Sequence, residues 1–454
     1  MESYLPPLGL LYIAKQLEQR GLQVAVIDFT AEPFSEEKLF NSLKNADAVS
    51  VTITSQIASS AAQLIAFIKK HAPDLPVIIG GPHCTLQGKT ALEEIQADIS
   101  VIGDGEHTIQ ELCDVFEKKK LLSEVHGIFY REHGVIKQGL PRCDIEDVDT
   151  IEFPARHFTR NYAYGKRMIA GVTFFAKGTI TSMVTTRGCP FHCRFCVSKS
   201  IFPTYRSRSA ENVVRELEEI AREYDSVFVV DDNFLSEKKR AETIMDLLIE
   251  KNLGLEIWIA GIRVTDADIN LFRKMKQAGV KSIEFGIESG NQEILDYYDK
   301  KINLDGIKKA VALSKKTGFL TIGNFIIGAP RETKKHIDDS IRFAKELNLD
   351  FAFFYPFMYM KGSALWDEAV NNGVIAQHEL FVMNNSREGL GNFTAEEFRN
   401  LITEAYRRFY FSPRYIFSQL LRQLFVYHNF RVFSTGLKLF IQQKDATVFD
   451  YMQT

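Results

Sequence analysis

The sequence lacks the features that mark membrane, secreted and disulfide-stapled proteins. No run of apolar residues reaches the ~18 positions that a membrane-spanning helix needs, and the N-terminus has no basic stretch followed by an apolar segment of the secretory type. Only 6 of the 454 residues are cysteine. We therefore expect a cytoplasmic protein with reduced thiols and no transmembrane segment.

An excess of charge of one sign is also absent. The chain carries 55 lysine and arginine residues against 58 aspartate and glutamate residues, a formal net charge of -3. Because nucleic-acid binding needs a concentrated basic surface, we expect no nucleic-acid partner. The hydrophobic share of 45% and the charged share of 25% are ordinary for globular proteins. The length predicts two or three domains.

The six cysteines fall into two groups. The widely separated ones are interpreted as small buried apolar residues: Cys84, Cys113 and Cys143. The others share one short stretch: Cys189, Cys193 and Cys196. Thiolates in such a stretch converge on one soft metal centre, an iron–sulfur cluster, zinc or copper(I). Since no fourth cysteine lies nearby, a four-iron cluster held here would keep one iron open to another ligand.

The alternative to a cluster is a zinc site completed by His192. Imidazole and thiolate do share tetrahedral zinc sites. His192 directly precedes Cys193, however, whereas zinc motifs separate their ligands by two to four residues so that a turn can fold around the metal. The spacing therefore favours the iron–sulfur cluster.

The cysteine spacing resembles the signature of radical S-adenosylmethionine (SAM) enzymes. The pattern is Cys-x-x-x-Cys-x-x-Cys, with the aromatic Phe195 just before the last cysteine. The resemblance implies a [4Fe-4S] cluster held by the three cysteines. It also implies that the open iron chelates SAM and that the reduced cluster cleaves SAM to a 5′-deoxyadenosyl radical.

The first 120 residues alternate strand-like and helix-like segments, which predicts a parallel sheet wrapped by helices. The predicted strands are Gln23–Phe29, Asp47–Ile53, Pro76–Gly80 and Asp98–Ile102. Ligands bind such sheets outside the carboxyl ends of the strands. Small and polar residues follow these ends: Ser55, Gln56, Gly80, Gly81, His83, Gly103, Gly105 and Glu106. From the residues alone, tight turns and a ligand site explain the glycines equally well.

This region resembles the cobalamin-binding domain that precedes the radical domain in one large subclass of the superfamily. The segments that carry the resemblance are Pro6–Leu10, Gly80–His83 and Ile102–Glu106. It implies a Rossmann-like, flavodoxin-like domain in which the residues after the strands contact cobalamin. The chain has no Asp-x-His-x-x-Gly, so no histidine is expected to coordinate cobalt from below. We also expect the sheet to lack the family's first strand or to rearrange without it.

Strand–helix alternation resumes after a connector at residues 121–178 that holds two strand-like pieces, Gly127–Arg131 and Gly171–Ala176. Six units follow, which predicts a partial (β/α)6 barrel with its working residues at the carboxyl ends of the strands. Those ends carry Asp231–Asn233, Arg263 and Glu288–Ser289. By itself the acidic pair could be a magnesium site or a helix cap.

Resemblance to the family's SAM-binding elements gives these residues roles. Three would receive the SAM amino group: Asp231, Asp232 and Asn233. Arg263 would pair with the SAM carboxylate. Glu288 and Ser289 would accept hydrogen bonds from the ribose. The adenine contacts would come from Phe195, Ile326 and Gly328.

The α/β sequence is thus divided into a cobalamin-binding-like domain (1–120), a linker (121–178), a radical SAM barrel (179–370) and a helical C-terminal region (371–454). The predicted activity is cobalamin-dependent methyl transfer to an unactivated carbon or phosphorus of a small molecule, lipid or peptide. Flavodoxin or ferredoxin would supply electrons. Two alternatives stay open: a radical SAM cyclase or rearrangement enzyme that does not use cobalamin, and a non-catalytic corrinoid- or redox-sensing protein.

Overall fold

The computed structural model describes residues 5–165, 176–383 and 391–422. The chain forms two compact units. The first consists of the described residues of 1–164 together with 200–206, and the second of those of 165–199 and 207–454. The division at residues 120, 178 and 370 stays a prediction. No helix in the described ranges has the length and apolar character needed to cross a membrane.

The first unit is built on a five-stranded sheet in the order β1-β2-β3-β4-β5. Its strands are β1 (Val49–Thr52), β2 (Val77–Gly80), β3 (Ile99–Val101), β4 (Ile128–Glu132) and β5 (Val135–Gln138). Its helices are α1 (Leu8–Gln19), α2 (Glu36–Leu43), α3 (Ala58–His71), α4 (Pro82–Gln87), α5 (Thr90–Glu94) and α6 (Glu106–Phe116). The first three strands are parallel, as predicted. Strands β4 and β5, within the predicted linker, extend the sheet in antiparallel order.

The segment Gln23–Phe29, predicted as a strand, is not one in the structure. Strand β1 pairs with β2 along one edge, and among the described residues no strand pairs along its other edge. The segment forms no ladder with β1 or with another described strand, so its backbone groups lack the pairing that defines a strand. Side chains fix its end instead: the backbone N–H of Asp28 donates to Tyr162 Oη over 3.2 Å, and Tyr164 Oη donates to the Asp28 carboxylate over 2.8 Å.

The second unit contains a sheet of six parallel strands, which confirms the partial barrel. The strands of the unit and the segments beside it are β6 (Ile180–Met183), β7 (Thr186–Arg187), β8 (Arg206–Ser207), β9 (Ser226–Val229), β10 (Glu256–Ile262), β11 (Val280–Glu288), β12 (Leu320–Ile327), β13 (Phe351–Pro356), β14 (Met358–Met360) and β15 (Phe381–Met383). The order across the sheet is β6-β9-β10-β11-β12-β13. Strands β14 and β15 pair in antiparallel orientation.

Helices alternate with these strands and then dominate the C-terminal region, as predicted. They are α7 (Ser198–Ile201), α8 (Ala210–Ala221), α9 (Lys238–Lys251), α10 (Ile269–Gln277), α11 (Gln292–Tyr297), α12 (Leu304–Thr317), α13 (Lys334–Leu347), α14 (Ala364–Asn371), α15 (Ala395–Tyr410) and α16 (Pro413–Arg422). Thr394 caps α15 by accepting the N–H of Glu397 over 3.1 Å, in a capping box.

The barrel strands have two distinct faces. In β11, Ile283, Phe285 and Ile287 join the apolar core shared with the helices. Successive side chains of a strand point to opposite faces, so Glu284 lies on the inner face of the barrel wall. Asn324 of β12 donates to Glu284 Oε1 over 2.6 Å and therefore shares that face.

Strand β13 ends the barrel sheet, and helix α15 covers its outer edge with tyrosine hydroxyls. Tyr406 Oη accepts the N–H of Phe354 over 3.1 Å, and Tyr410 Oη accepts the N–H of Ala352 over 3.2 Å. Tyr410 Oη also donates to the Ala352 carbonyl over 3.1 Å. Burial raises the pKa of Tyr406 to about 12, so its hydroxyl keeps its proton at neutral pH. The two tyrosine hydroxyls thus bond the outward-facing backbone groups of β13, which a further strand would otherwise pair with.

Removal of one of these hydroxyls should destabilise the second unit. Tyr406→Phe leaves a buried backbone N–H without its acceptor, so we expect the free energy of unfolding to fall by about 1–3 kcal/mol. Both tryptophans, Trp258 and Trp366, belong to this unit, so urea denaturation followed by tryptophan fluorescence reports it selectively. Phe417→Leu, at an exposed position of α16, is the control and should leave the transition unchanged.

Candidate active site

The three cysteines lie on one loop, residues 184–197, called the cysteine loop below. It starts directly after β6, the first strand of the barrel sheet, and includes the short strand β7. Within it the backbone N–H of Cys196 donates to the Cys193 carbonyl over 3.0 Å, forming a tight turn. The N–H of Ser198 points at Cys196 Sγ over 3.4 Å. This turn brings the last two thiols of the motif to one side of the loop, at the carboxyl end of the sheet, where active sites of (β/α) barrels lie.

Asp231, which follows β9, fastens the start of this loop. Its Oδ1 accepts the backbone N–H groups of Thr185 over 2.6 Å and Thr186 over 3.2 Å, and its Oδ2 accepts the Thr185 hydroxyl. Burial raises the pKa of the Asp231 carboxyl despite these hydrogen bonds. Both carboxylate oxygens are thus engaged by the loop that leads to Cys189. The role of Asp231 toward SAM stays a prediction.

The three thiols lie within electrostatic range of one another. Cys189 and Cys196 each interact with Cys193 and with Asp232. Desolvation raises the pKa of Cys189 and raises that of Cys196 to about 11, although solvent still reaches Cys196 from one side. Both are therefore protonated thiols in the chain alone, and iron binding must displace their protons.

The type and number of ligating side chains on this loop fit an iron–sulfur cluster. Among the residues that the structure describes, no three cysteine, histidine or acidic side chains converge closely enough to hold one metal ion. A cubane cluster distributes its protein ligands over several irons, so its ligating sulfurs stand farther apart than those of a zinc site. The donor set, three thiols on one loop, therefore fits a cluster with one iron free of protein ligands.

Two cationic side chains flank Cys193. Arg263, which ends β10, points Nη1 at Cys193 Sγ over 3.8 Å and stacks its guanidinium 3.9 Å from the centre of the Phe191 ring. Its Nη2 donates to the carbonyl of Lys300. Its Nε is buried without a hydrogen-bond partner among the described residues. The predicted carboxylate partner of SAM thus stands beside a predicted cluster ligand.

Lys300 forms a buried ion pair with Glu288, the predicted ribose acceptor. Lys300 Nζ lies 2.6 Å from Glu288 Oε1, and both residues are less than a tenth exposed. A Cβ at Gly286 would stand 2.6 Å from Glu288 Oε1 and 3.0 Å from Lys300 Nζ, so a larger residue there would displace the pair from its present position. The Glu288 carboxylate, together with the Cys193 side chain, holds the pKa of Lys300 above its ordinary value despite burial.

In the segment Asp231–Asn233, which follows β9, the last residue keeps a free hydrogen-bond acceptor. The Ser198 hydroxyl donates to Asp232, and Asn233 Nδ2 donates to Asp266 over 3.1 Å. Asn233 Oδ1 is buried without a partner among the described residues. An orphaned oxygen of this kind fits the predicted ammonium of SAM. Gly261 of β10 allows the backbone of Asp231 to approach closely, because a Cβ at this position would stand 2.3 Å from the Asp231 carbonyl oxygen.

The predicted adenine contacts lie around one apolar cluster. Phe195 and Ile326 both pack against it, and the Phe195 ring lies 5.0 Å from that of Tyr298, edge to face. Gly328, at the end of β12, donates its N–H to Glu332 instead of to a neighbouring strand. Ser289, the second predicted ribose acceptor, is fully buried and bonds Ser340 over 3.2 Å.

Glu332 should make the stability of the second unit depend on pH. Burial raises its pKa to about 7, although the N–H groups of Gly328 and Ala329 act in the opposite direction. The folded state then holds this proton more tightly than the unfolded state, whose pKa is near 4.5, so stability falls as pH rises through that interval. Glu332→Gln removes the ionisation. Relative to the wild type, the variant should gain about 2–3 kcal/mol between pH 4.5 and 8.

Urea transitions followed by tryptophan fluorescence at the two pH values measure this difference. Glu250→Gln, at an exposed position of α9, serves as control and should show no such gain. An equal difference between Glu332→Gln and wild type at both pH values would contradict the assignment.

The residues predicted to contact cobalamin gather at the carboxyl ends of β1, β2 and β3. Ser55 and Gln56 form a turn directly after β1, Gly80 and Gly81 follow in β2, and Gly103, Gly105 and Glu106 lead from β3 into α6. The space beyond the Gly103 backbone is open, with no atom within 4 Å of a Cβ built there. An edge of small residues with open space fits a large planar ligand.

His83 is placed differently from the other candidates. It is fully buried, its Nδ1 lies 3.3 Å from Ser55 Oγ, and its backbone N–H donates to the Ile53 carbonyl over 3.1 Å. Its Nε2 lies 3.8 Å from the Glu94 carboxylate. These contacts give the ring a packing role in the turn after β2. A contact with the corrin stays a prediction.

Sequence reasoning missed three residues of this site: Lys300, Glu332 and Tyr298. Lys300 stands in the run Asp299–Lys301, which has the composition of a solvated loop. Tyr298 is fully buried, with its hydroxyl unpartnered among the described residues. The spacing of Glu332, four residues after Gly328, was a usable signal because a carboxylate so placed can reach back to the turn's N–H groups.

Comparisons with known proteins agree with this geometry. The family model described as Radical SAM superfamily matches residues 183–344, and that described as B12 binding domain matches residues 1–113. The chain is 32% identical to "Uncharacterized methyltransferase PH0819" of Pyrococcus horikoshii, over 94% of this chain and 91% of that protein. It is 24% identical to the anaerobic magnesium-protoporphyrin IX monomethyl ester cyclase of Rubrivivax gelatinosus, over 90% and 75%.

A likeness among solved structures supports the fold. The radical SAM methyltransferase TsrM of Kitasatospora setae, solved with cobalamin and a [4Fe-4S] cluster, superposes with a TM-score of 0.68 at 18% identity, covering 81% of this chain and 72% of that one. Together the comparisons confirm the family and the fold class predicted from the sequence.

Proposed function

We propose that this chain, which belongs to the B12-binding radical SAM enzymes, is a cobalamin-dependent methyltransferase acting on an unactivated carbon or phosphorus. The observation that carries the proposal is the grouping around one loop of three thiols, two cations and an orphaned amide oxygen: Cys189, Cys193, Cys196, Arg263, Lys300 and Asn233. The names of the P. horikoshii relative and of TsrM favour methyl transfer.

The [4Fe-4S] cluster and cobalamin, two of the groups on which the family's chemistry depends, each have residues in this chain that would hold them. The cysteines would hold the [4Fe-4S] cluster, which when bound supplies an electron to cleave SAM. The small residues after β1, β2 and β3 would hold cobalamin, the methyl carrier.

The chain's own part in this chemistry is positioning and charge. Asn233 Oδ1 offers an acceptor to the SAM ammonium, and Arg263 offers donors to its carboxylate. Lys300 holds the Glu288 carboxylate in one orientation at the end of β11. Asp231 fixes the start of the cysteine loop. Phe195 and Ile326 give an apolar surface on which an adenine ring can rest.

The test is anaerobic reconstitution of the full chain with iron, sulfide and hydroxocobalamin, followed by desalting, reduction and incubation with SAM. We expect a retained corrin absorption band, 5′-deoxyadenosine, and S-adenosylhomocysteine from methyl transfer to cobalamin. A colourless protein after desalting would remove cobalamin from the account.

A second candidate is a cyclase or rearrangement enzyme. The relationship to the R. gelatinosus cyclase favours it. Such an enzyme would yield 5′-deoxyadenosine without S-adenosylhomocysteine. A full cluster that never cleaves SAM would instead indicate a sensing protein.

The partners and location complete the proposal. A small molecule, lipid or peptide would be the substrate, and a flavodoxin or ferredoxin in the cytoplasm would be the electron donor. Activity with reduced flavodoxin in place of a chemical reductant would support this part.

A further inference from the structure

The inner face of the barrel wall carries a carboxyl group that the chain leaves without a cation. Glu284, in the middle of β11, is partly buried and accepts one hydrogen bond, from Asn324 Nδ2 over 2.6 Å. No lysine, arginine or histidine of the described ranges forms an ion pair with it. Desolvation raises its pKa, which shows that the protein disfavours the charged form when nothing else is bound.

Two further polar groups on this face lack partners. Asn324 Oδ1 is buried with no hydrogen-bond partner among the described residues, and so is Trp258 Nε1. Trp258 is only 4% exposed. It pairs in register with Ser282, which is the inner-face residue of β11 that precedes Glu284. A buried donor or acceptor without a partner costs about 1–3 kcal/mol. Trp258 lies level with Ser282 and Asn324 lies level with Gly286, so the two groups occupy different heights of the same face, where a ligand extended along β11 can complete them.

The surroundings of the pair are aromatic. In the register of β12 with β13, Asn324 lies opposite Phe353, and Ile326 lies opposite Tyr355. The Phe353 and Tyr355 rings are 6.2 Å apart, and Tyr355 is 45% exposed although it is a large side chain in a strand. The apolar wall therefore continues from the carboxyl of Glu284 toward the end of the sheet that carries the cysteines.

The position along β11 connects this wall with the reaction. Glu284, Gly286 and Glu288 follow one another toward the carboxyl end of the strand. Gly286 adjoins the Glu288–Lys300 pair, and Lys300 interacts with Cys193. A molecule held by Glu284 would thus extend along the strand toward the predicted SAM site, at about 3.3 Å per residue.

We propose that Glu284, oriented by Asn324, is the specificity-determining residue for the substrate and receives a cationic amine attached to an aromatic or apolar body. The inference rests on the proposed function for the chemistry that follows binding. A bound ammonium group would form the ion pair that Glu284 does not make with any described residue of the chain. Asn324 Oδ1 would accept a second N–H of the same group, and Trp258 Nε1 would donate to an acceptor of the substrate.

Binding of two matched probes tests this assignment on the full reconstituted chain. The probes are 2-phenylethylamine and 2-phenylethanol, which share ring and chain and differ in the ammonium. Dissociation constants come from ligand-observed NMR. The wild type should bind the amine about tenfold or more tightly than the alcohol, and Glu284→Gln should weaken the amine about tenfold while leaving the alcohol unchanged.

The control variants separate recognition from folding. Glu250→Gln, at an exposed position of α9, should keep the preference for the amine. Glu284→Gln keeps an acceptor oxygen for Asn324 Nδ2, so it should unfold at about the wild-type temperature while it loses the preference. Equal binding of the two probes by the wild type would overturn the proposal. So would an amine preference that survives in a folded Glu284→Gln variant.

Measurement of SAM cleavage in the same samples keeps the two proposals apart. If SAM is cleaved but the amine preference is absent, the specificity assignment fails alone. If the preference is present but SAM is not cleaved, the proposed reaction fails and Glu284 still marks an amine-binding wall.

Discussion

Replacement of Cys193 by alanine should reduce reductive SAM cleavage to less than about one hundredth of the wild-type rate. Changes to groups that only orient a metal ligand already cost about 10–100-fold, and this substitution removes a ligand itself. Cys193 is also the thiol that Arg263 and Lys300 face, so its loss leaves two cations beside an incomplete site. The measurement is 5′-deoxyadenosine formed by the reduced, reconstituted chain.

Iron and sulfide content should fall together with that activity. Cys143 is exposed, so its prediction as a buried residue was wrong, whereas Cys84 and Cys113 are buried as predicted. Cys143→Ala is the matched control, because it removes an exposed cysteine of the first unit and should keep both iron and activity. A Cys193→Ala protein with wild-type iron content that still cleaves SAM would refute the cluster assignment, and with it the proposed function.

Replacement of Lys300 by methionine should lower the free energy of unfolding of the second unit by about 3–5 kcal/mol. The reason is that Glu288 stays behind as a buried carboxylate whose partner, 2.6 Å away, is gone. Urea denaturation of the full chain without added cofactors, followed by tryptophan fluorescence, measures the change. Affinity for SAM in the reconstituted chain should fall as well, because Glu288 would no longer be held for the ribose.

The neighbouring lysine provides the control. Lys301, with a side chain 75% exposed, pairs with Asp299 at the surface, and Lys301→Met should change stability by less than about 0.5 kcal/mol. The double variant Glu288→Gln, Lys300→Met should recover part of the stability lost in Lys300→Met, since neither partner then stays charged and buried. If Lys300→Met matches Lys301→Met, the pair has no special energetic weight.

The sequence was sufficient for the order of the barrel strands. Their apolar runs are bounded by glycines and polar residues, and each is followed by an amphipathic helix, so periodicity alone located them. The segment Gln23–Phe29 has the same local pattern and was predicted wrongly. A strand also needs a neighbour with which to share its hydrogen bonds, and whether β1 has one at that edge is a property of the whole sheet.

The site residues that belong to short sequence motifs could be predicted from the sequence. The cysteines, the residues after β9 and Glu288 stand in such motifs, and the structure brings several of them around one loop. Lys300 was not predictable, because a lysine between Asp299 and Lys301 looks like part of a solvated surface. Its burial depends on the space left by Gly286 on another element, which no local pattern records.

The tyrosine-covered edge of β13 has a consequence for synthesis on the ribosome. The six strands of the barrel sheet emerge first, and α15, which carries Tyr406 and Tyr410, emerges only after β14, α14 and β15. Until then the last strand presents unpaired amides and carbonyls to every neighbouring nascent chain. Cotranslational completion of the barrel must therefore wait for this helix, and a chain truncated before Thr394 should aggregate through the uncovered edge of β13.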